Sequence, residues 1–168
     1  HYNMARALKN KGDLEAAVMA YKQAILIKPD YAEAYYNMGN TLRDKGDLDS
    51  AIESYKQAIQ INPRLDEAFN NVGNALKDKG DLASAIESYK QAIIINPAHD
   101  DAYRNLGKSL RNVEFTRPDS DLKSIISSML ELKNQARPKD IASAALSLLK
   151  HAPTIKKFLS LSLIHISE

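Results

Sequence analysis

The sequence predicts an all-α fold, an α-α superhelix of antiparallel helix pairs, and three observations predict it. The chain repeats itself every 34 residues (63 − 29, 97 − 63): Pro29, Pro63 and Pro97 share one place in the period, Gly12, Gly46 and Gly80 a second, and Gly39, Gly73 and Gly107 a third. Within each period two apolar stripes recur at helical spacing. Between the stripes lies a Gly-Asp step, and after the second stripe comes proline. A chain with such a period stacks small units whose apolar faces only their neighbours can cover.

The first unit, residues 1–31, carries Met4, Leu8, Gly12, Ala17, Tyr21, Ala24 and Pro29, with Ala5 where later units have glycine. The second, 32–65, is the clearest. Tyr35, Met38, Gly39 and Leu42 form one stripe, and Leu48, Ala51, Ile52, Tyr55, Ala58 and Ile59 the other. Gly46 suits the left-handed residue that ends a helix, and Asp47 suits the cap of the next. Pro63 cannot continue a helix and pushes Asn62 towards extended backbone. The third unit, 66–99, repeats this with Phe69, Val72, Gly73, Leu76, Gly80, Ala85, Tyr89, Ala92 and Pro97; a fourth begins at 100 with Tyr103, Leu106, Gly107 and Leu110, then departs. Gly39 and Gly73 are expected to let helices approach closely, with Ala51 and Ala85 as the matching small surface.

This order of aromatic, Leu-Gly, Leu, Gly, Ala, Tyr, Ala and Pro resembles the tetratricopeptide repeat over residues 1–111. The resemblance implies a concave groove, lined by the first helix of each unit, in which a protein or peptide is bound. Residues 113–160 read as a helical cap or linker. Asp121-Leu122-Lys123-Ser124-Ile125-Ile126 echoes Asp81-Leu82-Ala83-Ser84-Ala85-Ile86 at a step of 40 (121 − 81), with Phe115 to Asp119 as a longer turn. A further helix is expected from Pro138, with Ile141, Ala145, Leu148 and Leu149 on one face before Pro153. This stretch is similar to helical segments that join bacterial repeat arrays to a downstream transferase domain. The last eight residues, 161–168, look like the conceptual translation of a sequencing adapter, which would make the chain a fragment of a longer protein.

Composition narrows the function classes. The 23 basic and 21 acidic residues leave a charge of +2, too balanced to call for nucleic acid or an anionic membrane. No cysteine exists to build a disulfide, a thiolate metal site or a nucleophile. No apolar run approaches the roughly 20 residues of a membrane span, and a cytoplasmic location is expected. His1, His99, His151 and His165 have no partner at metal-ligand or triad spacing and are expected to be solvated. The period explains every glycine, so no phosphate-binding loop remains. Glu53 and Glu87, with Lys56 and Lys90 three residues on, read as a solvated, salt-bridged helix face. Neither catalysis nor a cofactor or metal is expected.

What remains is a binding face made of three polar columns on the first helices. Asn3, Asn37, Asn71 and Asn105 share one offset; Arg6, Asn40, Asn74 and Lys108 a second; Lys9, Arg43, Lys77 and Arg111 a third that is always basic. A side-chain amide both donates and accepts, so a ladder of asparagines can grip a peptide backbone whatever its sequence, or it can bond between neighbouring helices. A similar ladder lines the repeat solenoid of the protein-modifying N-acetylglucosamine transferase. The basic column, with Arg104 and Lys108, would favour acidic side chains or a terminal carboxylate; Glu33, Glu67, Asp44 and Asp78 dilute it. Two other readings compete with a peptide-binding scaffold. One is the substrate-recruiting arm of a larger glycosyl-, sulfo- or methyltransferase, and the other is a scaffold that self-associates through exposed repeat ends.

Overall fold

A computed structural model describes residues 1–111, 113 and 119–131. Eight helices lie among the described residues: α1 (Tyr2–Asn10), α2 (Leu14–Ile27), α3 (Ala32–Asp44), α4 (Leu48–Ile61), α5 (Asp66–Asp78), α6 (Leu82–Ile95), α7 (Asp100–Ser109) and α8 (Ser120–Glu131). The chain divides into two compact units, His1–His99 and the part from Asp100 onward. The expected helix from Pro138, the remainder of the cap or linker, most of the turn from Phe115, and residues 161–168 lie outside the described residues.

Each hairpin turn in the first unit is built the same way. Gly12, Gly46 and Gly80 have φ of 85°, 84° and 87°, the left-handed backbone that a side chain resists. In the second turn Gly46 N donates to Arg43 O and Asp47 N to Leu42 O, both at 2.9 Å, which closes the end of α3. The next residue opens the following helix: a carboxyl oxygen of Asp13, Asp47 and Asp81 accepts the backbone N–H of Ala16, Ser50 and Ser84, each at 3.1 Å. The bonds from Ser50 and Ser84 hold the carboxyls of Asp47 and Asp81 below their ordinary range. At the other end of each pair, Asn62 and Asn96 are extended before Pro63 and Pro97, and the next helix starts within a few residues.

The hairpins of the first unit stack in chain order, each helix packing on the next from α1 to α6. Successive first helices also touch, α1 with α3 and α3 with α5, and no comparable contact links α2 with α4 or α4 with α6. The first helices therefore line the inner side of the curve. At the centre of each hairpin a tyrosine, Tyr21, Tyr55 or Tyr89, is fully buried together with Ala17, Ala51 or Ala85. Burying one such ring contributes roughly 1.5–3 kcal/mol of apolar transfer.

The repeat glycines answer to these rings. A Cβ placed on Gly39 would stand 2.6 Å from Cε1 of Tyr55, and on Gly73 2.5 Å from Cε1 of Tyr89. The close approach thus runs from glycine to tyrosine ring, rather than to Ala51 and Ala85 as the sequence suggested. The alanines are buried, but the ring edge is what the missing side chain makes room for.

In the second unit α7 buries Ala102, Tyr103 and Leu106, and α8 buries Leu122, Ile125 and Ile126 at helical spacing. The echo of the earlier second helices is a helix, though its start is displaced. Asp119, not Asp121, accepts from the backbone N–H of Leu122 (2.8 Å), and Asp121 falls in the first turn.

Gly73→Ala forces a methyl group against Tyr89. We expect a loss of about 1–3 kcal/mol by overpacking, read as a clear drop in the thermal midpoint. An unchanged melt would contradict the ring-to-glycine contact.

Candidate functional site

Four asparagines of the two columns, Asn37, Asn40, Asn71 and Asn74, lie on α3 and α5 of the inner side, and each is hydrogen-bonded. Asn37, one turn after Glu33, donates through Nδ2 to the Glu33 carbonyl (2.8 Å) and to the hydroxyl of Tyr2 on the preceding repeat (2.9 Å). Asn71 donates through Nδ2 to the hydroxyl of Tyr36 (3.3 Å) and to Oδ1 of Asn40 (2.9 Å), again one repeat back. The first column therefore ties neighbouring repeats together. Tyr2 and Tyr36, one residue before Asn3 and Asn37, are half-buried members of this face that the sequence reading left out. Their shared offset was the available signal, but the register continues as Asn70 and Arg104, so no aromatic column stood out.

The second column serves the core. Oδ1 of Asn40 accepts from the hydroxyl of Tyr55 and Oδ1 of Asn74 from that of Tyr89, both at 2.9 Å. The first repeat has Arg6 at this place, and the hydroxyl of Tyr21 is buried with no hydrogen-bond partner among the described residues. Burial pushes the Tyr21 phenol up to about 12, and burial raises Tyr55 as well. Two groups on the face remain uncommitted after these bonds. Asn37 keeps Oδ1 as an acceptor, and Asn40 keeps an Nδ2 amide that donates to no described residue. Both side chains are half-buried. Asn3 lies exposed near the start of α1.

The basic column is partly neutralised. Lys9 pairs with Asp44 at 3.0 Å, and Arg43 lies 3.8 Å from the same carboxylate and 3.5 Å from Oδ1 of Asn71. Lys77 is half-buried in α5 and has no ion pair among the described residues. Arg6 is exposed, with its guanidinium 6.0 Å from the centre of the Tyr2 ring. In the second unit, Arg104 is exposed and pairs with Asp101. Asn105 is half-buried, its carbonyl accepting from Ser109, and Lys108 and Arg111 are exposed.

Two expectations of solvated residues fail. The expected ion pair of Lys90 with Glu87 forms at 2.9 Å and Glu87 is exposed, but Lys90 itself is buried. The His99 side chain is only 12% exposed: its Nε2 is buried without a hydrogen bond among the described residues, 4.0 Å from the carboxylate of Asp66, which accepts from Asn96 at 2.7 Å. The aliphatic stem of a lysine can lie along apolar surface, and His99 lies beside Asp66 at the start of α5. Among the described residues no group of three histidine or acidic side chains could hold a metal, and no helix is long and apolar enough to cross a membrane.

The family model described as TPR repeat matches residues 5–42, 39–80 and 73–111. Among solved structures, the chain is similar to that described as the crystal structure of MamA: 25% identity, TM-score 0.62, covering 88% of this chain and 75% of that one. A double mutant, MamA RS-1 ArsTM, is similar at 22% identity and TM-score 0.63, covering 79% and 72%. The first TPR of Spaghetti (RPAP3), bound to the HSP90 peptide SRMEEVD, is similar at 17% identity and TM-score 0.62, covering 64% and 86%. No curated protein sequence matches.

The contrast between repeats is measurable. Tyr55→Phe removes a hydroxyl that donates to Asn40 and should cost about 0.5–1.5 kcal/mol, whereas Tyr21→Phe removes one that donates to no described residue and should leave stability level or higher. Chemical denaturation of the two variants distinguishes them; equal losses would refute the assignment.

Proposed function

Because the chain belongs to the tetratricopeptide-repeat family, whose helix pairs form scaffolds for protein–protein interaction, we propose that its inner face binds an extended, acidic peptide segment of a partner protein. The observation that carries this reading is the pairing of uncommitted groups on α3. The Asn40 amide is a donor for a peptide carbonyl, and Asn37 Oδ1 is an acceptor for a peptide N–H. The inter-repeat bonds of Asn37 and Asn71 hold both side chains in place before a ligand arrives, which lowers the ordering cost of binding. Main-chain pairing of this kind supplies grip without identity.

Charge supplies the preference. Lys77 has no ion pair among the described residues, and Arg43 needs only to exchange Asp44 for a ligand carboxylate. The similar repeat domain bound to SRMEEVD offers a precedent for a ligand rich in carboxylates. A fold of this kind is generally non-catalytic, and the groups on the face are suited to holding a ligand rather than transforming it. In this reading residues 1–112 are the binding array, and 113–160 serve as its cap or as a linker.

Asn40→Asp keeps the acceptor used by Tyr55 and Asn71, replaces the amide donor with a second acceptor and adds a negative charge. Binding of uncharged peptides, measured by fluorescence polarisation, should weaken about tenfold. Lys77→Glu should weaken acidic peptides selectively, and the loss should shrink as salt is raised. Binding unchanged by both substitutions would reject the inner face.

A further inference from the structure

Asp44 is the last residue of α3 and Asp78 the last of α5, at the same place in the period, yet their surroundings differ. The carboxylate of Asp44 lies 3.0 Å from the ammonium of Lys9 on the preceding repeat and 3.8 Å from the guanidinium of Arg43. One acidic side chain thus spans two successive members of the basic column. By the period, Asp78 should meet Arg43 as Asp44 meets Lys9. The Arg43 guanidinium instead lies 3.5 Å from Oδ1 of Asn71 and turns its other nitrogen to Asp44. Asp78 is exposed and forms no ion pair among the described residues, and neither does Lys77 next to it.

The side chains of Lys9, Arg43 and Asp44 are 28%, 32% and 39% exposed, so water and salt screen this cluster less than they screen a fully solvated pair. Its charges are therefore not available on equal terms with that of Lys77. A carboxylate arriving at Lys77 meets a cation with no partner. A carboxylate arriving at Lys9 or Arg43 meets a place that already holds one. The first and fourth repeats have Asn10 and Asn112 where the second has Asp44, so the fold does not call for an acid at this position.

We propose that Asp44 acts as an internal stand-in for a ligand carboxylate: it masks the basic column across the first and second repeats and directs the acidic part of a bound peptide to Lys77. The inference rests on the peptide-binding reading of the inner face and adds which of its cations are open and which residue closes the others. It makes Asp44 a determinant of specificity by opposition. A ligand whose acidic residues reach only Lys77 is unaffected by it, whereas one with carboxylates along the whole face must displace it twice, at Lys9 and at Arg43.

The test compares Asp44→Asn with Asp78→Asn by fluorescence polarisation at low salt, using labelled hexaglutamate, which offers a carboxylate in every register, and hexaglutamine as its neutral twin. Each variant removes one negative charge from the end of a first helix, but only Asp44→Asn releases paired cations. Asp44→Asn should bind hexaglutamate about fivefold more tightly than the parent, and Asp78→Asn should stay within about twofold. Neither should change hexaglutamine binding, and the gain should fade as salt is raised. Adding Lys9→Gln and Arg43→Gln to Asp44→Asn should abolish it. A gain equal in the two single variants, or one that survives loss of both cations, overturns this inference alone. If the parent and Asp44→Asn both fail to bind hexaglutamate, or Lys77→Glu leaves its binding unchanged, the reading of the inner face falls and this inference with it. Thermal melts verify that every variant is folded.

Discussion

The structure depends on one contact repeated along the chain: a tyrosine ring edge laid against a glycine on the partner helix, with its hydroxyl tied to the asparagine next to that glycine. The ring of Tyr55 needs Gly39 to enter and Asn40 to stay. The same triplet recurs as Tyr89, Gly73 and Asn74. Dispersion and apolar burial supply most of the energy, while the hydrogen bond removes the cost of burying a hydroxyl and fixes the rotation of the ring. Because the hairpin angle is set by how closely the two helices meet, this contact also determines how one unit presents its surface to the next.

From that constraint the inner face follows. Asn40 uses its oxygen for the core tyrosine and for Asn71 of the next repeat, so one side chain joins a hairpin's interior to the seam between repeats. The groups left over on the face are those that core and seam do not need. In the proposed reading, binding draws on what structural obligations leave over rather than on a separate addition to the scaffold, and the same asparagines would serve both.

Much of this was legible in the sequence because the period converts one clear unit into several. Gly46, Asp47 and Pro63 act through local backbone chemistry, which needs no tertiary context, and the turns formed where they stand. The partner of Gly39 was not legible: both Ala51 and Tyr55 recur at fixed offsets, and a period cannot say which of two invariant neighbours touches. Lys90 and His99 were misread for a related reason, since burial depends on what an adjoining helix covers and not on a residue's own polarity. For the asparagine columns, the sequence offered two readings, ligand grip or inter-helix bonding. The structure shows the bonds between helices at Asn37 and Asn71, and it leaves Asn37 Oδ1 and the Asn40 amide over.

The first hairpin departs from the scheme at two adjacent places, Ala5 and Arg6, and the departures belong together. With alanine in the glycine's place and no asparagine to receive its hydroxyl, Tyr21 is packed without being anchored. Stability in stacked repeats is nearly a sum of each unit's own worth and that of its seams. By that sum the first hairpin's own worth falls below that of the second and third, where the same hydroxyl is anchored.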